Sequence, residues 1–157
     1  MKKNEKKPKI WKIEKITQLK KVGKEISALL STNTLLFLSG ELGSGKTTLT
    51  KLISQQLGIK ENVQSPTFNL LKQYPINFNN KKIFLNHYDL FRLKKEKELN
   101  ALLKELKELT IGNINIIEWG ENDPYFSQWL KNPDYKVIHL EIKVEGGKRV
   151  IYAKQRF

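Results

Sequence analysis

The chain has 157 residues, which is a typical length for one domain and enough to bury a core without disulfide bonds or a structural metal. It contains no cysteine, and this excludes disulfides, thiolate zinc sites and cysteine nucleophiles. Lysine and arginine number 29 against 16 aspartate and glutamate residues, so the net charge is +13, which indicates either a lysine-rich solvated surface or a patch that faces a polyanion.

The amino terminus is positively charged but lacks the apolar run of a signal peptide. Uninterrupted apolar runs elsewhere are roughly four residues long, far shorter than a membrane span. We therefore expect a cytoplasmic protein without a membrane segment. The lysine-rich residues 1–9 predict a flexible basic tail, which leaves residues 10–157 as a single domain.

The first third of the chain predicts a strand, a helix, a buried strand and a second helix. A short strand is expected over Ile10–Ile16, and Thr17 is then placed to cap a helix. The apolar positions of that helix share one face: Leu19, Val22, Ile26, Leu29 and Leu30. Thr34–Ser39 is a continuous apolar run, as expected of a strand buried on both faces of a parallel sheet. A glycine-rich turn follows, and the next helix ends at Gly58.

The middle of the chain predicts three further strands. Thr67–Tyr74 and Lys82–Tyr88 are separated by a polar, asparagine-rich turn, and Ile114–Trp119 has the composition of a buried strand. A leucine stripe over Leu99–Leu109 predicts a helix before the last of these strands, and Pro124–Leu130 predicts a short helical segment after it. The carboxy-terminal residues alternate like two antiparallel strands joined near two consecutive glycines.

Residues Gly40–Thr47 match the pattern G-x-x-x-x-G-K-[ST] and lie between a predicted strand and a predicted helix, the context that this pattern requires. Its glycines let backbone N–H groups turn inward around phosphate oxygens, and the following helix adds its positive end. Lys46 can reach the β and γ phosphates, and the Thr47 hydroxyl can ligate Mg²⁺. The sequence therefore predicts an α/β fold, a three-layer P-loop NTPase domain with a mixed, mainly parallel central sheet and a C-terminal antiparallel hairpin.

Acidic residues at predicted strand ends are candidates for the same site, because ligand groups gather at the carboxyl edge of open α/β sheets. Glu118 closes an apolar strand and is either a second Mg²⁺ ligand or an ordinary exposed glutamate. Asp89 holds a metal-bound water, orients an attacking water by hydrogen bonding, or has no catalytic role. Nearby, His87 is interpreted as a structural hydrogen-bonding side chain. Thr67 either senses the γ-phosphate or belongs to a turn that leads into a strand.

Four blocks in chain order, GELGSGKTT, SPTFNLLKQY, HYDLFRL and IIEWGEN, resemble the TsaE family of bacterial ATPases. That family assists threonylcarbamoyladenosine formation on tRNA. The P-loop alone is unspecific, whereas the four blocks in this order and spacing are specific, and they cover about residues 17–120. A later turn that ends in Arg149 resembles a small hairpin of the same family.

The resemblance implies roles for individual residues. ATP and Mg²⁺ are the implied cofactors, with Thr47 and Glu118 holding the metal. Lys46, Asp89 and Thr67 carry the implied catalytic roles. The implied ATP-binding residues are Leu42, Gly43, Ser44, Gly45, Lys46, Thr47, Thr48 and Arg149.

The resemblance also implies that the protein acts with TsaD and TsaB, and reaches tRNA through their complex. ATP hydrolysis would reset that complex between turnovers. Two other hypotheses stay open on the residues alone: a small-molecule or nucleotide kinase, and a non-catalytic nucleotide-gated adaptor that binds tRNA. The chain has no N-K-x-D motif for reading guanine, so ATP is favoured over GTP.

Overall fold

A computed structural model describes residues 8–66, 70–90, 107–118 and 131–154. Within these ranges the chain forms seven strands and two complete helices, in the order β1 (Ile10–Ile13), α1 (Ile16–Leu29), β2 (Thr34–Gly40), α2 (Lys46–Gln56), β3 (Leu71–Phe78), β4 (Lys81–Asp89), β5 (Ile114–Glu118), β6 (Lys136–Glu145) and β7 (Lys148–Ala153). No helix in this part of the chain is long and apolar enough to cross a membrane.

The seven strands form one sheet in the order β1-β7-β6-β2-β5-β4-β3. The central strands β6, β2, β5 and β4 run parallel to one another. The outer pairs β3–β4, β6–β7 and β1–β7 are antiparallel. The predicted α/β fold with a mixed, mainly parallel central sheet is therefore confirmed, and so is the C-terminal hairpin, whose turn is Gly146–Gly147.

Apolar layers cover both faces of the central strand β2. Leu36 and Leu38 belong to a large core that also contains the buried face of α1 and residues of α2. Leu35 and Phe37 point to the opposite face, where a smaller cluster includes Tyr88 of β4. Side chains of a strand alternate between faces, so only a continuous apolar run can fill both layers. This arrangement holds the end of β2 firmly at the centre of the molecule.

The boundary between β1 and α1 differs from the prediction. We expected a strand as far as Ile16 and a helix capped by Thr17, but β1 ends at Ile13 and the residue that caps α1 is Lys15. The Gln18 side chain accepts a hydrogen bond from the Lys15 backbone N–H at 2.9 Å. A glutamine at the third helical position thus satisfies a backbone donor that has no partner inside the helix.

The strand predicted over Thr67–Tyr74 also has different bounds. β3 covers Leu71–Phe78 and continues through Pro75, while Thr67 lies outside the described residues. Proline lacks a backbone N–H and is tolerated at the edge of a sheet, which is where β3 lies. The asparagine-rich turn is confirmed as Asn79–Asn80, both with positive φ, as a two-residue hairpin turn requires.

The remaining predicted elements fall partly or wholly outside the described residues. Of the leucine-rich helix only residues 107–110 are described, and they are helical. The segment Pro124–Leu130 is not described. The strand predicted over Ile114–Trp119 is confirmed as far as Glu118, and Trp119 is not described.

Candidate functional site

The loop Gly40–Thr47, called the phosphate loop below, joins β2 to α2 at the carboxyl edge of the parallel strands. Three of its glycines have positive φ: 149° at Gly40, 77° at Gly43 and 112° at Gly45, the last of which caps α2. Side chains rarely allow these conformations. The glycines thus let the loop turn tightly just before the N-terminus of α2. The first backbone N–H groups of a helix have no partner inside the helix, so this end of α2 attracts anions.

Gly40→Ala is expected to reduce the free energy of unfolding by about 3 kcal/mol or more, combining backbone strain with a steric clash. An added Cβ would lie 2.5 Å from the backbone oxygen of Ile142 and 2.6 Å from Oγ of Ser44. The matched control is Gly58→Ala, where φ is also positive but nothing lies within 4 Å, so only a strain of about 1–2 kcal/mol is expected. Chemical denaturation compares the two variants, and equal losses would contradict this account.

The Lys46 side chain is buried within the phosphate loop. Its ammonium group donates hydrogen bonds to the backbone oxygens of Gly40 at 2.7 Å and Glu41 at 3.0 Å. Only 5% of the residue is exposed, although Lys46 lines the cavity described below. A buried cation is stabilised strongly by an anion. The loop therefore presents a positive charge where a phosphate group would bind.

The carboxylate of Glu118 lies beside the start of α2. Glu118 ends β5 and is 2% exposed, which excludes the alternative of an ordinary exposed glutamate. The Thr47 hydroxyl lies 3.3 Å from both of its carboxylate oxygens, and the Thr50 hydroxyl lies 3.3 Å from Oε1. Thr50 was missed by our sequence analysis, although its position one helical turn after Thr47 places both hydroxyls on the same face.

The donor set of Thr47 and Glu118 fits Mg²⁺. A hydroxyl and a carboxylate are hard oxygen ligands, and Mg²⁺ at nucleotide sites takes one or two carboxylates together with phosphate oxygens and waters. Among the described residues no group of three or more His, Cys, Asp or Glu side chains is placed to hold a metal. Thr47 and Glu118 therefore match a metal site in which the phosphates of a nucleotide supply further oxygen ligands.

Asp89 lies next to Glu118 at the same edge of the sheet. It ends β4 and is aligned with Glu118 in the parallel pair β4–β5. The Ser65 hydroxyl, from the segment after α2, donates a hydrogen bond to Asp89 Oδ2. Ser65 was not among the predicted site residues. Its contact ties that segment to the sheet immediately before Thr67, which the structure does not describe.

Arg149, at the start of β7, reaches the phosphate loop from the C-terminal hairpin. Its Nε donates to the backbone oxygen of Ser44 at 2.8 Å, and its Nη2 donates to that of Gly43 at 3.4 Å. The neighbouring Lys148 forms an ion pair with Glu14 at 2.7 Å. The hydrogen bond from Lys148 holds the pKa of Glu14 below its ordinary value. These contacts link the hairpin to the β1–α1 junction across the site.

One cavity of about 560 Å³ brings these groups together. Its volume is in the range of small-molecule and cofactor sites. Ser44 is buried and does not line it, and Thr67 lies outside the described residues. The other predicted site residues do line it: Leu42, Gly43, Gly45, Lys46, Thr47, Thr48, Asp89, Glu118 and Arg149.

Part of the cavity wall was not anticipated from the sequence. Ile13, Ile16 and Leu19 from the β1–α1 junction supply an apolar surface opposite the polar groups of the phosphate loop. Our sequence analysis assigned these residues to a strand and to the core face of a helix. No local pattern marks them as site residues, since the pairing of β1 with β7 and the packing of α1 on α2 bring them to the cavity.

The site combines a glycine-rich loop, placed between a buried parallel strand and a helix, with a lysine, a hydroxyl and a carboxylate around one cavity. This combination defines a P-loop nucleotide-binding protein of the α/β class. The family model described as "Threonylcarbamoyl adenosine biosynthesis protein TsaE" matches residues 13–151. The chain belongs to the TsaE family, whose members act in tRNA threonylcarbamoyladenosine biosynthesis.

Individual relatives agree with this assignment. The chain is 37% identical over 131 residues to the tRNA threonylcarbamoyladenosine biosynthesis protein TsaE of Rickettsia felis, covering 82% of this chain and 70% of that protein. It is 35% identical over 127 residues to the protein of the same name from Haemophilus influenzae, covering 76% and 77%. Its fold is similar to the crystal structure of Bacillus subtilis YdiB, with a TM-score of 0.65 and 23% identity over 96% of this chain and 87% of that one.

Proposed function

We propose that this protein is the ATP-binding and ATP-hydrolysing subunit required for threonylcarbamoyladenosine modification of tRNA. It acts with the TsaD–TsaB complex, and Mg²⁺-dependent hydrolysis resets that complex between turnovers. The observation that carries the proposal is the convergence of Lys46, Thr47 and Glu118 on one cavity, in a chain that belongs to the TsaE family. A cytoplasmic location and a single domain over residues 10–157 are part of the same proposal.

The phosphate loop binds the triphosphate. Backbone N–H groups of the loop and of the first turn of α2 donate to phosphate oxygens, and the ammonium group of Lys46 neutralises charge on the β and γ phosphates. Arg149 already contacts two carbonyl groups of the loop, so it can hold the loop in shape or turn to the nucleotide. Leu42 and Thr48 border the same space.

The Thr47 hydroxyl and the Glu118 carboxylate would hold Mg²⁺. When bound, this ion withdraws charge from the phosphate oxygens and supports departure of ADP. Glu118 is already buried and hydrogen-bonded, so its orientation needs little rearrangement. The protein thus supplies a rigid acidic ligand next to the phosphate loop.

Asp89 is proposed to orient the attacking water. Its carboxylate lines the cavity, where it can accept a hydrogen bond from a water molecule that faces the γ-phosphate. Ser65 donates to Oδ2 and fixes the carboxylate. Thr67, two residues further along, is proposed to respond to the γ-phosphate. Hydrolysis by the protein alone is expected to be slow, because P-loop enzymes often need a partner to complete water positioning and charge stabilisation.

The experiment that tests this function measures steady-state phosphate release from ATP by the protein alone and with purified TsaD, TsaB and tRNA. We expect the partners to raise the rate by at least about tenfold, since groups that a partner adds to a P-loop site contribute 10³ or more in other systems. The Lys46→Ala variant, assembled in the same complex, measures the background. Rapid turnover by the protein alone, unchanged by the partners, would contradict the proposal, and transfer of phosphate to a small molecule would indicate a kinase.

A further inference from the structure

The two carboxylate oxygens of Glu118 have different surroundings. Oε1 accepts a hydrogen bond from Nε2 of His87 at 2.8 Å and also lies 3.3 Å from the hydroxyls of Thr47 and Thr50. In the part of the chain that the structure describes, Oε2 has a single hydrogen-bond partner, the Thr47 hydroxyl at 3.3 Å. Both oxygens are thus equally close to the Thr47 hydroxyl, but only Oε1 has further contacts with buried side chains, and Oε2 is the oxygen with capacity left for another ligand.

His87 makes the shortest of these contacts. It lies on β4, the strand next to β5, and its side chain is fully buried. A carboxylate oxygen can only accept, so Nε2 carries the hydrogen of this bond. The other ring nitrogen, Nδ1, has no hydrogen-bond partner among the described residues. A phenylalanine would fill similar space without leaving a buried ring nitrogen unpaired, so the particular contribution of histidine here is the Nε2–H donor.

We propose that His87 is a positioning residue for the magnesium site: by holding Oε1 of Glu118 it fixes the carboxylate beside Thr47 and leaves Oε2 for the metal. The inference rests on the proposed Mg²⁺-dependent function. A carboxylate rotates about its terminal bonds, and a donor fixed to one oxygen determines where the other points. Partners of this kind, which orient a metal ligand without contacting the metal, typically change metal affinity by about 10- to 100-fold when removed. The Thr47 and Thr50 hydroxyls lie further from the same oxygen, and Thr50 also donates to the backbone oxygen of Lys46 at 3.0 Å.

The test uses the full chain and a non-hydrolysable ATP analogue, with calorimetric titrations at several Mg²⁺ concentrations. For His87→Phe we expect the Mg²⁺ concentration needed for half-maximal enhancement of binding to rise by about tenfold, with Mg²⁺-free binding within about twofold of the parent. The control is His139→Phe. His139 is the other histidine of the chain; it contacts Ser39 at 3.1 Å and does not line the cavity. Its replacement is expected to leave the Mg²⁺ requirement unchanged.

A second variant separates hydrogen bonding from packing. His87→Gln retains an N–H donor near the position of Nε2, and its Mg²⁺ requirement is expected to stay within about threefold of the parent. Equal shifts in the Phe and Gln variants would overturn the proposal, as would a folded His87→Phe protein with the parental Mg²⁺ requirement. If His87→Phe does not fold, His87→Leu removes the same Nε2–H donor with a smaller apolar side chain, and an unchanged Mg²⁺ requirement in that variant would overturn the proposal.

Failure of the proposed function has a separate signature. If the parent protein binds no ATP analogue, or binds it with the same affinity at every Mg²⁺ concentration, both proposals fail together. If Mg²⁺ strengthens binding to the parent and the His87 variants match it, only the positioning role fails.

Discussion

Lys46→Ala is expected to weaken ATP binding by about 100-fold, because it removes charge-assisted hydrogen bonds to phosphate that together contribute roughly 3 kcal/mol. The ammonium group now lies against the carbonyls of Gly40 and Glu41 inside the phosphate loop, where phosphate groups would supply stronger acceptors. Lys46→Met keeps most of the side-chain volume and is expected to give the same loss. Equilibrium binding of ATP by calorimetry is the measurement.

A charge-matched control distinguishes local contact from the overall field of a protein with a net charge of +13. Lys60 is exposed and does not line the cavity, so Lys60→Ala removes the same charge from a site distant from the phosphates. We expect its affinity to change by less than about twofold at physiological ionic strength, where separated surface charges are largely screened. Unchanged affinity in Lys46→Ala would refute the assignment of the phosphate loop.

Glu118→Ala is expected to retain ATP binding within a few-fold while reducing Mg²⁺-dependent phosphate release by about 100-fold or more, since the metal loses a protein ligand. The variant also leaves the buried Nε2–H of His87 without its acceptor, which is expected to lower the free energy of unfolding by about 1–3 kcal/mol. Phosphate release against Mg²⁺ concentration, with thermal unfolding alongside, measures both effects.

Glu118→Gln is the matched variant for this experiment. Its amide oxygen can still accept from His87, and its volume is nearly that of the parent, so folding is expected to be preserved while the negative charge is lost. We expect a comparable loss of Mg²⁺-dependent turnover. Full activity in a folded Glu118→Gln protein would remove this residue from the proposed metal site.

Local patterns were sufficient to predict much of the sheet and the phosphate loop. β2 was predicted from its apolar run and β5 from the run that ends at Glu118, and both were confirmed because strands buried on two faces allow few polar residues. The predicted start of α1 was wrong. We assigned the cap to Thr17, but the helix is capped at Lys15, whose backbone N–H donates to the Gln18 side chain. The predicted end of β3 at Tyr74 was also wrong, because the strand continues through Pro75. Proline is excluded from central strands, but it is tolerated at the edge of a sheet, where β3 lies.

The resemblance to a family supplied what local patterns could not. Arg149 was associated with the nucleotide only through that resemblance, since it lies 105 residues from Ser44, whose backbone oxygen it contacts. For Asp89 and Thr67 the local pattern left a catalytic role open, the resemblance favoured it, and both roles remain proposals. The hydrogen bond from Ser65 to Asp89 was not predicted, although Ser65 begins the second of the four blocks that carry the resemblance.

By itself, the sequence determined the phosphate loop, the helix that follows it and the carboxylate at the end of a neighbouring strand. Each of these depends on contiguous residues, namely glycines that permit positive φ, a lysine at a helix start and an apolar run that ends in an acid. Only the tertiary structure decided that His87 donates to one oxygen of Glu118, and that the hairpin with Arg149 closes one side of the cavity. Those contacts depend on which strands become neighbours, and that outcome follows from burial over the whole sheet.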